Sequence, residues 1–401
     1  MTERVICAAV GIALVALSAQ ALAETSPQPV AKPIGPAIDL KARGFVRQTF
    51  EFDSNRELEP DSDGAVYGSI TRLGLRLDAE GKRSVFRINA ALAARAFGGP
   101  GDTDNLTRVD PDISARHQFN AKDFAISNSL SLNVRPTTET QFDDTGIVEE
   151  EANQLTINYD TSFTKNLDAR NALSLGGDVR ITRFDEDVAG LDENELYGVD
   201  ATWSHQLYQT TSLFAQTGAR FFNSEDGTTS QTFNFLTGID HRRTSRHRFG
   251  ANGGIVVSRI DDGDVPGASK ETNVGFNGGG NFEYTLQRFT AGVDIRQSVD
   301  PTSDGDVNGF TRIGGNIGYR LTNRSRLSGA LEVSRRTSVS TLDDEEDRLF
   351  FSVGPAFNTE LTRNIDLSLS YRFRFDDEDD EAIGTGHQLF LTISRNFDLI
   401  E

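Results

Sequence analysis

The stretch Ile365-Asp366-Leu367-Ser368-Leu369-Ser370-Tyr371-Arg372-Phe373-Arg374-Phe375 places an apolar or aromatic side chain at every odd position and a polar or charged one at every even position. Successive side chains of a β-strand leave opposite faces, so a period of two predicts a strand with one face in an apolar medium and the other in water. The same split recurs upstream. Phe124, Ile126, Leu130, Leu132 and Val134 alternate with Ser127, Ser129, Ser131, Asn133 and Arg135. Leu173, Leu175, Val179 and Ile181 alternate with Ser174, Asp178, Arg180 and Thr182, and Phe289, Ala291, Val293 and Ile295 with Thr290, Gly292, Asp294 and Arg296.

Followed along the chain, this pattern predicts eighteen strands, near 43–52, 66–78, 84–97, 109–118, 123–135, 152–163, 171–184, 195–206, 211–223, 230–241, 247–260, 271–283, 288–299, 308–320, 325–337, 348–359, 364–375 and 386–397. An even number of strands of about ten residues, joined alternately by short turns and longer loops, is the pattern of a transmembrane antiparallel β-barrel. The expected architecture is therefore an all-β, up-and-down barrel of about 18 strands. Charge gives an independent indication of sidedness. Acidic runs such as Glu149-Glu150-Glu151, Asp343 to Asp347 and Asp376 to Glu381 fall in the longer connections, whereas Lys82-Arg83, Arg242-Arg243, Arg324, Arg326 and Arg363 gather at the short turns. Short turns on the periplasmic side place both termini in the periplasm. A secreted sandwich or propeller is the rival arrangement. It would have to bury its apolar faces against one another, and the repeated hairpins carry no blade motif.

Composition agrees with an export and membrane reading. The chain has 401 residues with 27 Phe, 37 Gly and a formal net charge of −20, which disfavours nucleic acid as a partner. Residues 1–23 have the order of a cleavable signal peptide: Arg4, an apolar run from Val5 to Leu17, then Ala21-Leu22-Ala23. Residues 24–40, with Pro27, Pro29, Pro33 and Pro36, read as a flexible periplasmic leader, 41–397 as the barrel, and 398–401 as a short C-terminal extension. The single cysteine, Cys7, lies in the signal segment, so neither a disulfide nor a thiolate metal site is expected in the mature chain.

A barrel of this size leaves an aqueous lumen unless something fills it, and no connection reads as a plug. Side chains are therefore expected to set the bore. Strand parity turns Arg72, Arg76, Arg87, Arg95, Arg116, Arg135, Arg180, Arg220, Arg296, Arg320, Arg336, Arg372 and Arg374 inward. Free guanidiniums would lower the energy of passing anions through charge and bidentate contact. Alternatively they are taken up by inward carboxylates such as Asp178, Asp200, Asp294, Glu332 and Asp366, bracing the wall with little net field. The two readings stand level.

Other features carry less. The acidic loops either hold divalent cations against lipopolysaccharide or keep the outer surface soluble, the second being the simpler account. Asp304 to Gly309 begins like a calcium loop, but Gly315 stands where the bidentate Glu belongs, so no metal site is expected. No cofactor and no catalytic constellation stands out among the five histidines, and the chain is read as a non-enzyme, with a serine-dependent barrel lipase kept as a distant rival. Gly278-Gly279-Gly280 precedes no helix and reads as relief of crowding in a strand rather than a phosphate cradle.

The final segment, with Leu389, Leu391, Ile393 and Phe397 in alternation, resembles the C-terminal targeting strand of bacterial outer-membrane barrels, which implies assembly by the outer-membrane insertion machinery. The chain from Arg43 to Phe397, with its Gly-containing amphipathic hairpins and its last two strands, resembles the β-barrel porin type 2 families associated with exopolysaccharide export. The alginate-export porins are similar in strand number and basic lumen. The resemblance implies an outer-membrane channel in contact with lipid and lipopolysaccharide, serving as a conduit for an anionic polysaccharide or for small anions. A non-conducting barrel with a structural or surface-interaction role is the alternative.

Overall fold

The computed structural model describes residues 38–56, 58, 60, 64–100, 107–137, 152–185, 191–225, 227–244, 246–261, 271–301, 307–338, 348–378 and 383–400. The expected signal segment and most of the leader, residues 1–37, lie outside them.

The described chain folds as eighteen strands: β1 Asp39–Asp53, β2 Val66–Glu80, β3 Ser84–Gly98, β4 Val109–Asn120, β5 Phe124–Pro136, β6 Asn153–Asn166, β7 Asn171–Phe184, β8 Asn194–Tyr208, β9 Thr211–Ser224, β10 Thr229–Arg242, β11 His247–Asp261, β12 Glu271–Thr285, β13 Phe289–Pro301, β14 Val307–Arg320, β15 Ser325–Ser338, β16 Arg348–Thr362, β17 Ile365–Glu378 and β18 Gly384–Ile400. Each pairs antiparallel with its sequence neighbours, and β1 pairs with β18 through Phe50 opposite Leu391 and Phe52 opposite Leu389. Closure removes every sheet edge, so the strand backbone finds its hydrogen bonds without water. No described helix is long and apolar enough to cross a membrane.

Register fixes which face each side chain takes. Leu73 lies opposite Leu92, Phe235 opposite Ile255, and Leu369 opposite Leu391, all on the outer face and all exposed. So wide an apolar exterior would be a liability in water and is the expected surface in hydrocarbon. Inside, by contrast, buried side chains are mostly Asp, Asn, Ser, Thr and Arg, and the two small apolar clusters, Leu58 with Phe350 and Val256 with Val299, do not form a continuous core. Arginine at position 391, near the middle of the outward face of β18, is expected to cost about 2–4 kcal/mol, while arginine at inward Thr392 should be nearly neutral. Urea titration of the refolded barrel checks this, and equal costs at the two positions would contradict the facing.

The barrel ends differ from the sequence expectation in detail. β1 begins at Asp39 and β18 continues past Phe397 to Ile400, with a register shift between Ala42 and Arg43 where the two strands meet. Residues 398–400 therefore belong to the last strand rather than extending beyond it. The Arg43–Asp398 ion pair, 3.3 Å, accounts for polar residues continuing the strand where an aromatic had looked like its end. The connections also alternate less strictly than expected. All eight turns on the rim that holds both strand termini span two to four residues, from 363–364 and 81–83 to 243–246. On the opposite rim, however, the β9–β10 connection is only 225–228. We refer to the two ends as the short-turn rim and the long-loop rim.

Turn chemistry is local where the chain must reverse. In the β6–β7 turn, Asp168 accepts hydrogen bonds from the backbone N–H of Arg170 at 2.7 Å and Asn171 at 2.9 Å. These bonds, with the Asn171 side chain, hold its carboxyl below the ordinary carboxylate range.

Candidate functional site: the arginine-lined lumen

All thirteen arginines singled out by parity share the inner face in this register. The strands place many of them directly opposite one another. Arg43 faces Arg76, Arg47 faces Arg72, Arg87 faces Arg116, Arg296 faces Arg312, Arg320 faces Arg326 and Arg336 faces Arg348. Like charges at directly opposed positions destabilise a sheet unless something neutralises them. How each pair is neutralised differs around the wall.

Near the long-loop rim the neutralising groups are the protein's own. Arg374, 1% exposed, donates from Nη2 to Asp53 Oδ1 at 2.7 Å and Oδ2 at 2.8 Å, and to the Asn55 carbonyl at 2.6 Å, while Nη1 donates to the Arg56 carbonyl at 3.3 Å. Gln388 Nε2 donates to Asp53 Oδ2 at 2.8 Å. Asp110 is shared by Arg95 and by Arg108, the latter at 2.8 Å, and Arg348 clamps Asp376. Lower down, Arg72 pairs with Asp112, Asp78 is shared by Arg76 at 2.9 Å and Arg87 at 3.3 Å, and Arg312 pairs with Glu332 at 2.9 Å. Arg180 is held by Asn158 at 3.1 Å rather than by an acid.

The same rim holds an element that the sequence did not reveal. After Asp53 the chain turns inward, so that Asn55, Arg56 and Leu58 are buried against the inner face of β16–β18. Arg56 pairs with Glu51 at 3.5 Å and lies over the Phe97 ring at 5.0 Å. The approach depends on glycine: a Cβ on Gly384 would sit 1.6 Å from the Leu58 carbonyl oxygen, and one on Gly386 would sit 2.8 Å from that of Asn55. Leu58 itself takes φ of 62°, a strained conformation for a branched residue. The expectation that strand side chains alone set the bore is thus corrected at this mouth, where part of the β1–β2 connection packs on the inner face. Its signal was present only as Asp53, Arg374 and the glycines, residues distant in sequence.

For the remaining arginines no such acid is at hand. Arg47, Arg116, Arg320 and Arg326, together with Arg372 in mid-strand and Arg135 at the other rim, have no carboxylate within ion-pair distance among the described residues; Arg326 donates instead to Thr290 Oγ1 at 3.2 Å. Arg320 and Arg326 are opposed with neither one paired to an acid. They line a cavity of about 580 Å3 with Arg47, Arg324, Glu360 and Asp366, whose remaining wall includes Thr49, Ser368, Thr392 and Ser394. Four guanidiniums thus face two carboxylates across a hydroxyl-rich wall. Of the acids expected to brace the lumen, Glu332 alone forms an arginine ion pair among the described residues, and Asp200 accepts from Gln216 at 3.5 Å. Arg47, Arg312 and Arg348 were not singled out from the sequence, and Arg324 and Arg326 were read only as basic residues gathered at a short turn, not as part of the lumen wall.

The remaining sequence candidates are also placed. Leu389, Leu391, Ile393 and Phe397 lie on the outer face, opposite Phe52, Phe50, Gln48 and Gly44 of β1. The five histidines also face outward; Ser84 Oγ lies 2.9 Å from His117 Nε2 on that outer face. Gly278 to Gly280 continue β12, whereas 304–306 of the calcium-like stretch lie outside the described residues. No metal-binding group of His, Asp or Glu occurs among the described residues.

A closed, 18-stranded antiparallel barrel with an apolar exterior and a polar interior is the fold of outer-membrane porins. Among solved structures, the chain is similar to Pseudomonas aeruginosa OccK9 (OpdG), with TM-score 0.52 and 11% identity over 90% of this chain and 99% of that one. It is also similar to Pseudomonas aeruginosa OccK2 (OpdF) in complex with glucuronate, with TM-score 0.50 and 11% identity over 90% and 99% of the two chains. A BenF-like porin from Pseudomonas fluorescens Pf-5 gives TM-score 0.50 and 10% identity over the same shares. At such identities the likeness concerns the fold. No family model matches the sequence, and no curated relative matches it.

Proposed function

We propose that this protein is an outer-membrane channel whose lumen favours small anions, carboxylates first. The observation that carries the reading is the opposed pair Arg320 and Arg326, which shares its cavity with Arg47 and Arg324 and lacks an acid partner of its own. A carboxylate or phosphate passing through supplies the missing counter-charge, and the planar guanidinium fork suits it bidentately. The opposed arginines raise the energy of the empty wall, and the anion lowers it on arrival. The hydroxyls of Thr49, Ser368, Thr392 and Ser394 offer hydrogen bonds in place of lost water.

Uronates are the first carboxylates to try, since OccK2, similar in fold, was solved with glucuronate. A conduit for an anionic exopolysaccharide is the narrower form of the same reading, because a polyuronate presents the same carboxylate on every residue. A single sugar is favoured over a threaded chain in this reading, since Asn55, Arg56 and Leu58 occupy part of the inner face at the mouth through which a chain would have to leave. In this reading the protein enters the periplasm with its N-terminal segment removed, places its short turns there, and acts without catalysis.

The test is uptake into liposomes. Refolded protein should admit glucuronate faster than glucosamine of similar size, and should admit oligouronates poorly. Folded barrels that pass neither monosaccharide would favour the non-conducting structural reading, and rapid passage of oligouronates would favour the export conduit.

A further inference from the structure

The outer surface around the short-turn rim is not uniform. From β10 to β14 it carries a band of rings: His241 lies tilted 5.1 Å from Phe249, His247 lies 4.9 Å from Tyr284 and 6.4 Å from Phe282, and Tyr284 lies 6.3 Å from Phe289, which faces Tyr319 across the sheet. All of these point away from the lumen. Just beyond the band, the turns 243–246 and 286–288 present Arg243, Arg246 and Arg288, exposed and with no carboxylate within ion-pair distance among the described residues. Their backbones are fixed, for the Arg246 carbonyl accepts from Thr285 N–H at 2.8 Å and the Arg288 carbonyl from Arg320 N–H at 2.7 Å. The acids of the neighbouring strands turn the other way: Asp240 and Glu283 alternate to the inner face, where Asp240 approaches Arg248 at 3.9 Å. The surface is therefore cationic above and aromatic at the level below it, and below that lie Ile255, Phe276, Val293 and Ile295, exposed and apolar.

We propose that this sector, from β10 to β14 at the short-turn rim, is a binding site for an anionic glycerophospholipid. The headgroup phosphate lies among Arg243, Arg246 and Arg288. His241, His247 and Tyr284 occupy the glycerol and ester level, where rings with a polar edge are at home, and a ring N–H or the phenol O–H can donate to an ester or phosphate oxygen. The acyl chains run down over Phe282, Val293 and Ile295. Each basic group near a negative headgroup contributes favourably, and the three act on one lipid because two adjacent turns bring them together. The proposal rests on the barrel lying in a bilayer with the orientation of a porin, and it does not depend on conduction.

The test uses the full barrel in phosphatidylcholine vesicles containing a trace of spin-labelled phosphatidylglycerol or spin-labelled phosphatidylcholine, with the motionally restricted fraction read by electron paramagnetic resonance. Phosphatidylglycerol should associate at least about threefold more strongly than phosphatidylcholine, and the R243Q/R246Q/R288Q variant should lose that preference. K82Q/R83Q, which removes two cations from the β2–β3 turn, should retain it. Equal association of both probes with the parent protein would overturn the proposal, as would a preference that survives the triple substitution or falls equally in the control variant. Heat-modifiable migration of the same samples on a denaturing gel separates failure to insert from absence of the site.

Discussion

Replacing Arg47, Arg320 and Arg326 together by glutamine should slow glucuronate uptake by an order of magnitude or more while leaving an uncharged sugar unaffected. The estimate follows from charge. A carboxylate about 4 Å from a guanidinium gains about 1 kcal/mol in bulk water and more in a confined, partly desolvated cavity, and each such loss is roughly a fivefold effect. The three arginines line one cavity, and two of them oppose one another without an acid partner. Their removal should also stabilise the empty barrel slightly, since it relieves a like-charge pair. A variant that is less active and no less stable distinguishes an anion site from bracing of the wall. Arg72, by comparison, is paired with Asp112, so R72Q should lower stability more than it lowers uptake.

The second large effect belongs to Arg374. Methionine at this position leaves the Asp53 carboxylate, 0% exposed, without its cation and the Asn55 and Arg56 carbonyls without a donor. Breaking a buried pair from one side costs about 3–5 kcal/mol, because the remaining charge stays desolvated. The inward segment keeps Asn55 Nδ2 on the Thr385 carbonyl and Leu58 against Phe350 but loses its bonds to Arg374 and the cation beside Asp53, so it should move away from the wall. The expected outcome is a lower unfolding midpoint together with a larger single-channel conductance and freer passage of oligouronates. D53A/R374M, which removes both charges, should recover much of the stability but keep the wider mouth. Loss of stability without a change in conductance would show that the segment does not narrow the path.

The strands were legible because their determinant is local: in β17, Ile365 to Phe375 alternates without a break, and the register then carries that parity around the barrel. The inward facing of the thirteen arginines follows from the same alternation. What each arginine meets was not legible. Arg374 finds Asp53 more than three hundred residues away, and Asp110 rather than Asp178 or Asp294 receives the arginines nearby. Cross-strand partners depend on register between strands, and a period of two says nothing of where one strand slides against the next. The inward turn after Asp53 was hidden for a related reason. Its acceptor surface is assembled from Gly384, Gly386, Arg374 and Phe350 on three other strands, so no pattern within residues 53–58 announces it. The ends of β1 and β18 were misplaced by a few residues, since Asp398 continues the inner face through Arg43 and not through its own hydropathy.

The paired and unpaired arginines together make a single claim about the lumen: at both rims many cations are spent on the protein's own acids, whereas Arg47, Arg320 and Arg326, gathered in one cavity toward the short-turn rim, remain for a ligand. The most direct measurement is the reversal potential of a single channel in a planar bilayer under a tenfold potassium chloride gradient. The unpaired arginines predict a reversal potential on the chloride side of zero, moving toward zero in R47Q/R320Q/R326Q. A potassium-selective current from the parent channel, set by the acidic loops and Asp366 rather than by the arginines, would contradict it.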